Sequence, residues 1–144
     1  MSNANVIRNK ELALLANEEI WSRGNFAELK KLFADDFVQH FLPSVTTTVG
    51  LDAFRQSLID HREAFPDWTE VVNLVIAEGD YVVLQYTSTG TNLGSFSGNP
   101  PTGKKIHIHE ITIFRIAGGK IAEQWLLPDT LSLNQQLGFI QVDT

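Results

Sequence analysis

The segment "KIHIHEITIFRIAGGKIAEQWLL" (residues 105–127) contains the clearest structural pattern in the chain. Two runs rich in β-branched and aromatic residues flank a Gly-Gly pair at 118–119, which predicts a β-hairpin. Side chains alternate across a strand, so Glu110 shares one face with apolar residues, and His107 and His109 share the other. A carboxylate on an apolar face is unusual because it must be paired, protonated or bound to a ligand.

Residues upstream of this hairpin mainly have the apolar spacing of helices. The predicted elements are helices at about residues 5–21, 26–33 and 51–65, with a brief strand at residues 35–41. The apolar stripe of the first helix contains Ile7, Leu14 and Trp21 at sevenfold spacing. Lys10 and Asn17 interrupt this stripe, so the orientation of the first helix is less well defined than its existence.

The other downstream residues predict a second hairpin and a terminal helical turn. The hairpin is expected at residues 68–90, a Gly/Pro-rich loop at 91–104 and the helical turn at 129–138. Three helices followed by antiparallel strands indicate an α+β fold, which we assign to one domain spanning residues 1–144. A long curved sheet with the helices on its concave side would form a one-ended cone with an apolar pocket.

The composition argues against several classes of function. The formal net charge is −6, whereas non-specific nucleic-acid binding needs a basic surface. The chain has no cysteine, which excludes disulfides and thiolate chemistry. No apolar run approaches the length of about 18 residues that a membrane-spanning helix needs, and the N-terminus lacks a signal-peptide core. We therefore expect a cytoplasmic protein with neither nucleic acid nor a membrane as its partner.

Glu110 is the main candidate for acid/base chemistry. If the apolar side chains on its face point into an interior, burial would raise the pKa of its carboxyl toward neutrality. A carboxyl with a pKa near neutrality suits a general acid or base. Two other interpretations remain open at this point. Glu110 could form a structural pair, for example with His40, or its face could be the solvent-exposed surface of the sheet.

His107 and His109 could form a metal-binding pair, because alternate strand positions place side chains side by side. A third ligand would be needed, and the sequence offers no carboxylate a few residues beyond the second histidine. We therefore expect both histidines at a sheet surface or subunit contact, and no bound metal.

Three further polar residues have both structural and functional interpretations. His40 ends a predicted strand, where it could be solvent-facing or line a pocket. His61 lies on the apolar stripe of the third helix beside Phe65, which favours a core or pocket-rim histidine. Asp129 follows a proline and precedes a helical turn, so it is a good helix N-cap, although it could also reach a pocket mouth.

Several motifs, in this order, resemble the SnoaL-like polyketide cyclases, also called ester cyclases, of the NTF2-like superfamily. The motifs are "FADDFVQHF", "AFPDW", "AEGDYVVLQYTSTGT", "PPTGK" and "IFRIAGGKIAEQW" followed by "PDTLSLNQQLG". The similarity extends from about residue 6 to residue 139. It implies a cone-shaped α+β barrel with a deep hydrophobic cavity, assembled as a homodimer or a higher homo-oligomer.

The resemblance also implies a reaction. Characterised members catalyse an intramolecular aldol condensation of a polyketide methyl ester with neither metal nor cofactor. Aligned on "GGKI" and "PD", the family's catalytic aspartate falls on Leu126 and its histidine on Thr112. A cavity glutamine falls on Glu110, a polar cavity residue on His40, and an aromatic residue at the end of the first helix on Trp21. The family aspartate is therefore missing, and a carboxylate is present on the neighbouring strand instead.

We expect a cofactor-free protein that binds an apolar small molecule and carries out aldol cyclisation or isomerisation next to a carbonyl. The alternative is a non-catalytic module for ligand binding or oligomerisation, which the loss at Leu126 favours. The predicted catalytic residues are Glu110, His40 and Asp129. The predicted substrate-binding residues are Trp21, Phe65, Thr112, Phe114, Gln124 and Leu126.

Overall fold

Six strands form one curved, open sheet in the computed structural model, which describes residues 3–141. The strands are β1 (Phe33–Phe41), β2 (Thr46–Val49), β3 (Thr69–Glu78), β4 (Tyr81–Thr91), β5 (Lys105–Ala117) and β6 (Lys120–Pro128). Their order is β2-β1-β6-β5-β4-β3, with β1 parallel to β6 and the other neighbours antiparallel. The expected α+β architecture and both predicted hairpins are confirmed.

The helices precede, interrupt and follow this sheet. They are α1 (Asn3–Ala16), which continues into a π-helical turn (Asn17–Ser22), a 3₁₀ turn (Phe26–Glu28) with α2 (Leu29–Leu32), α3 (Leu51–Ala64) and α4 (Thr130–Leu137). The second predicted helix ends earlier than expected, because Phe33 begins β1. Strand β2 was not predicted, since a short run of threonines at an edge has no apolar alternation. None of the described helices is both long and apolar enough to cross a bilayer.

Strand β5 has a strict alternation of burial. Its even-numbered residues from 106 to 116 are buried, whereas its odd-numbered residues are exposed or half-buried. We call the side with the even-numbered residues the inner face of the sheet and the opposite side the outer face. Glu110 therefore points inward, and His107 and His109 point outward. Alternation predicted that they lie on opposite faces, and the family resemblance implied that Glu110 is on the inner one.

The inner face is covered by two clusters of apolar side chains. In the first, aromatic rings lie with their centroids 4.5–6.1 Å apart and occupy the space between the helices and the sheet. These rings belong to Trp21, Phe33, Phe37, Phe54 and Phe114. The second cluster joins the end of α3 to α4 and includes Phe65, Trp68, Ile108 and Leu133. Packed side chains thus occupy the part of the interior where the sequence suggested a pocket.

The buried face of α1 differs from the predicted stripe. Ile7 is 55% exposed and Leu14 is 39% exposed. The buried residues are instead Ala13, Ala16, Asn17 and Ile20. A sevenfold repeat drifts around a straight helix with 3.6 residues per turn, and the π-helical turn shifts the face again. Small alanine side chains also let the helix backbone approach the sheet closely.

Asn92 fixes the long loop between β4 and β5. Its side chain is fully buried, and its Nδ2 donates to the carbonyl oxygens of Ala64 (3.4 Å) and Gly94 (2.9 Å). Its Oδ1 accepts from the backbone nitrogen (2.8 Å) and the hydroxyl (2.9 Å) of Thr102. One amide therefore ties both ends of the loop to the end of α3, which holds Phe96 over the second cluster.

Replacing Asn92 with alanine should lower the free energy of unfolding by about 2–3 kcal/mol, because it leaves the backbone nitrogen of Thr102 and the carbonyl oxygen of Gly94 without their partner. The control is Asn99→Ala in the same loop, where the side chain makes one exposed bond to Ser97. This variant should change stability by less than about 0.5 kcal/mol. Urea denaturation measures both values. Equal losses in the two variants would contradict the anchoring role.

Candidate functional site

Glu110 lies in the middle of β5 with its carboxyl on the inner face, only 6% exposed. Its register partners are Tyr86 on β4 and Pro128 on β6. The Ser88 hydroxyl donates a hydrogen bond to Glu110 Oε2. Burial raises the pKa of Glu110 to about 7, although the bond from Ser88 acts in the opposite direction. This carboxyl can therefore accept or release a proton near neutral pH.

A second buried carboxyl, which was not predicted from the sequence, lies close to the first. Glu70 on β3 is 7% exposed and is the register partner of Ser88. Its Oε1 accepts a hydrogen bond from Asn17 Nδ2 (2.6 Å), and its Oε2 accepts one from Trp68 Nε1 (2.8 Å). Burial and the charge of Glu110 raise the pKa of Glu70 well above its usual range, while the two hydrogen bonds oppose that change.

Two local irregularities of the backbone direct these side chains to the site. The π-helical turn after α1 begins at Asn17 and ends at Ser22, whose hydroxyl accepts from the backbone nitrogen of Glu70 (2.9 Å). Turns of this kind are frequent at functional sites. A bulge in β3 between Val72 and Leu74 shifts the alternation by one residue. Glu70 consequently shares the inner face with residues of opposite parity farther along the same strand.

Neutral polar groups continue from the carboxyls across four strands. The Tyr86 hydroxyl lies 2.8 Å from Thr112 Oγ1, which also accepts from Gln124 Nε2 (3.3 Å). Gln124 Oε1 in turn accepts from Gln39 Nε2 on β1 (3.0 Å). Burial, together with the charges of the two glutamates, raises the pKa of Tyr86 well above its usual value. Tyr86 is thus a neutral hydroxyl that can donate to an oxygen atom at neutral pH.

His40 lies on the outer face, so the expected His40–Glu110 pair does not form. Its Nε2 is 2.6 Å from Glu123 Oε2, and its ring stacks on Trp125 with the centroids 5.3 Å apart. The bond to His40 and a second from Arg115 Nε (3.0 Å) lower the pKa of Glu123. The parallel pairing of β1 with β6 causes this arrangement. It aligns Gln39 with the inward Gln124, and it aligns His40 with Trp125 on the outer face.

Asp129 caps α4, with its Oδ1 accepting from the backbone nitrogen of Ser132 (3.0 Å). Its side chain is exposed, which agrees with the capping interpretation. His61 is half-buried with its ring edge-on to Trp68 at 4.3 Å between centroids. Burial, helped by the charge of Arg62, lowers the pKa of His61 to about 4, so its imidazole is neutral at pH 7.

His107 and His109 have their ring centroids 5.9 Å apart on the outer face. Among residues 3–141, no group of three or more histidine, cysteine, aspartate or glutamate side chains is arranged to hold a metal ion.

The structure brings together most, but not all, of the predicted substrate-binding residues. Thr112, Phe114 and Gln124 are buried on the inner face beside Glu110, with the half-buried Leu126 opposite Thr112. Trp21 is half-buried, and its ring centroid is 6.0 Å from that of Phe114. Phe65 lies apart from this group, within the second cluster.

Five residues around the two carboxyls were not predicted from the sequence, namely Asn17, Ser22, Glu70, Tyr86 and Ser88. A usable signal existed for Glu70, which stands between Trp68 and Val72 at alternate positions of a strand. The same reasoning that singled out Glu110 would have selected it. The hydroxyl and amide partners carry no such signal, because their types are common in strands and helices.

Comparison with known proteins places these residues in a family context. The profile of the SnoaL-like polyketide cyclases matches residues 11–137. A candidate SnoaL-like polyketide cyclase from Jannaschia sp. CCS1 is 26% identical, with a TM-score of 0.88 over 98% of this chain and 99% of that chain. No curated protein matches the sequence.

Two further solved structures are similar. AclR, a candidate hydroxylase from Streptomyces galilaeus, is 26% identical, with a TM-score of 0.83 over 96% of this chain and 86% of that chain. IdmH, a candidate polyketide cyclase from Streptomyces antibioticus, is 25% identical, with a TM-score of 0.79 over 90% of this chain and 98% of that chain. The NTF2-like fold that the sequence motifs implied is confirmed.

The raised pKa of Glu110 predicts how the free energy of unfolding changes with pH. The folded protein keeps this proton up to about pH 7, whereas the unfolded chain loses it near the usual value of 4.5, so stability falls as the pH rises through this interval. Glutamine cannot titrate. Relative to the wild type, Glu110→Gln should therefore gain stability between pH 5 and pH 8, by at most about 3 kcal/mol.

The control is Glu123→Gln on the neighbouring strand, where hydrogen bonds lower the pKa. That variant should lose stability at neutral pH, and the loss should shrink below about pH 4.5. Urea denaturation between about pH 3 and pH 8 measures both curves. A Glu110→Gln curve parallel to that of the wild type would contradict the raised pKa.

Proposed function

The chain belongs to the SnoaL-like polyketide cyclase family, and from this premise we propose that it binds an apolar small molecule and transfers a proton next to a carbonyl group. The reaction would be an aldol cyclisation or an isomerisation. The observation that carries the proposal is the Glu110 carboxyl, which is buried on the inner face and accepts a hydrogen bond from the neutral Ser88.

The proposed chemistry needs one base and one stabilised oxygen. The Glu110 carboxylate takes a proton from the carbon beside a carbonyl, and the electrons of the broken C–H bond form an enolate. In a cyclisation, the enolate carbon attacks a second carbonyl of the same molecule, and the resulting alkoxide takes up a proton. In an isomerisation, Glu110 returns the proton to another carbon. Only protons move to and from the protein, so the step needs no redox cofactor.

The surroundings of Glu110 suit this role. A pKa near 7 allows efficient proton transfer in both directions at neutral pH. The hydroxyls of Tyr86 and Thr112 lie on the same face and could donate to the enolate oxygen. Buried neutral donors stabilise a developing charge more strongly than donors in water do.

The apolar residue at position 126 raises the question of which strand carries the catalytic carboxyl. The family resemblance places the catalytic aspartate at this position. Because Glu110 lies opposite Pro128, it is the diagonal neighbour of Leu126, and such neighbours are about 7–8 Å apart. A carboxyl at Glu110 can therefore approach the same ligand from the adjacent strand. We propose that Glu110 replaces the missing aspartate.

A ligand must also reach the inner face. Leu126 on β6 and its register partner Phe41 on β1 are both half-buried. We propose that the ligand enters at this less covered end of β1 and β6.

The second candidate function is a non-catalytic module for ligand binding or oligomerisation. Two observations favour it, namely the apolar residue at Leu126 and the aromatic rings that fill the interior. Catalytic roles for His40 and Asp129 and the cytoplasmic location remain predictions from the sequence.

We also propose that the protein is a homo-oligomer assembled through the outer face of the sheet. Register partners form two rows across β3, β4, β5 and β6 on that face. The rows are Ile76–Val83–Ile113–Trp125 and Leu74–Gln85–Ile111–Leu127. Several of these side chains are strongly exposed, including Ile111 at 43%. Contiguous exposed apolar area of this kind is typical of interfaces, and the family resemblance implies a second copy of the chain as the occupant.

The oligomer is tested by Ile111→Lys, which places a charge in the middle of the second row. Sedimentation velocity should then give a monomer where the wild type gives a dimer or larger species, because a buried unpaired charge opposes association. The matched control is Thr89→Lys, an exposed outer-face position outside both rows. A monomeric wild type, or an Ile111→Lys variant that still associates, would contradict the assignment.

The catalytic proposal is tested in two steps. A thermal-shift screen with aromatic polyketide esters, steroids, terpenoids and fatty acids identifies the ligand class. A ligand at a hundred times its Kd should stabilise the fold by roughly 2.7 kcal/mol. With that ligand as substrate, Glu110→Gln should reduce turnover by about a hundredfold or more.

Glu78→Gln is the control for turnover, since Glu78 is exposed at the end of β3. The variants His40→Ala and Asp129→Asn in the same assay test the other two sequence predictions. Ligand binding without turnover in the wild type would favour the non-catalytic module. Unchanged turnover in Glu110→Gln would refute its role as the base.

A further inference from the structure

Glu70 and Glu110 form a geometric unit on the inner face. They lie on β3 and β5, with β4 alone between these strands. Ser88 on β4 connects them, because it is the register partner of Glu70 and donates its hydroxyl to Glu110. Both carboxyls are buried. Any charge on one is therefore felt by the other with little screening by water.

The hydrogen-bond donors that hold the two carboxyls are neutral. They are the amide of Asn17, the indole of Trp68 and the hydroxyl of Ser88. Arg62 is a nearby cation, but its Nη1 donates to the backbone oxygens of Trp21 (2.9 Å) and Trp68 (3.1 Å). In the part of the chain that the structure describes, no salt bridge involves either carboxyl. Two buried carboxylates without a paired cation repel one another, which favours keeping one proton on the pair.

The other titratable groups around the pair do not supply the missing positive charge. Tyr86 on β4 is neutral or, if ionised, negative. His61 on α3 contacts Trp68, and its lowered pKa keeps the imidazole uncharged at pH 7. The proton must therefore be held by the carboxyls themselves.

The two carboxyls differ in how firmly they are held. Both oxygens of Glu70 accept hydrogen bonds, one from the π-helical turn and one from Trp68. Glu110 uses Oε2 in its bond with Ser88, which leaves Oε1 for a ligand. Glu70 is thus suited to influence Glu110 from a fixed position, whereas Glu110 is suited to react.

We propose that Glu70 is a positioning residue that shares a single proton with Glu110, so that the site presents one carboxylate and one carboxylic acid. This inference rests on the proposed function, in which Glu110 is the base. Glu70 acts through Glu110. It limits the pair to one negative charge and keeps the Glu110 proton exchangeable near neutral pH.

The test is a pH titration of the glutamate side-chain carboxyls, followed by ¹³C NMR of the labelled protein. The wild type, Glu70→Gln and Glu110→Gln are compared, and the two variants assign the signals. The wild type gives two titration midpoints, and each single variant gives the one midpoint of its remaining carboxyl. If the carboxyls are coupled, the sum of the two wild-type midpoints should exceed the sum of the two variant midpoints by at least about one pH unit. Equal sums would show independent carboxyls and overturn the proposal. The control Glu78→Gln should leave both midpoints unchanged.

A second measurement uses only the wild type, in case Glu70→Gln does not fold. At pH 7.5, unfolding should release about one proton, which the pH dependence of the unfolding equilibrium reports. Release of none would overturn the shared proton.

The titration is independent of turnover, so failure of this inference can be distinguished from failure of the proposed function. Coupled carboxyls in a protein whose Glu110→Gln variant keeps its turnover would support the pair and refute the base. Loss of turnover in Glu110→Gln with uncoupled carboxyls would support the base and refute the role of Glu70. In an active protein, Glu70→Gln should also move the pH profile of kcat, which a purely structural role would not do.

Discussion

The register of β5 between its two neighbours is the constraint on which the rest of the structure depends. It directs the even-numbered residues of β5 toward the helices and its histidines toward the outer face. The same register aligns Tyr86 with Glu110 and Leu126 with Thr112. A shift of one residue would expose the carboxyl and bury His107 and His109. The site and the apolar outer face therefore have a common origin.

Burial of two carboxyls among neutral donors is costly for folding, because each carboxyl loses its hydration. The protein keeps both, and the hydrogen bonds from Asn17, Trp68 and Ser88 offset part of that cost. The fold is that of the SnoaL-like polyketide cyclases. Within a shared fold, activity depends on individual side chains. The apolar Leu126 and the acidic Glu110 are therefore more informative about chemistry than the fold is.

Much of the fold could be predicted from local pattern. The two hairpins, α3 and the capped α4 follow from alternation, apolar spacing and the capping residues Asp129 and Gly138. The errors occurred where a distant partner decides the outcome. Ile7 and Leu14 are exposed because the small residues of α1 face the sheet, and β2 exists because β1 offers it a free edge.

The sequence by itself determined that Glu110 shares a face with apolar residues and lies opposite to His107 and His109, since alternation within one strand is a local property. It also carried the motifs that identify the family. Tertiary structure alone decided that Glu70 lies beside Glu110, that Asn17 binds it, and that His40 is outside. These outcomes depend on a bulge, a π-helical turn and a parallel strand pairing. All three bring together residues far apart in the chain, which no local pattern records.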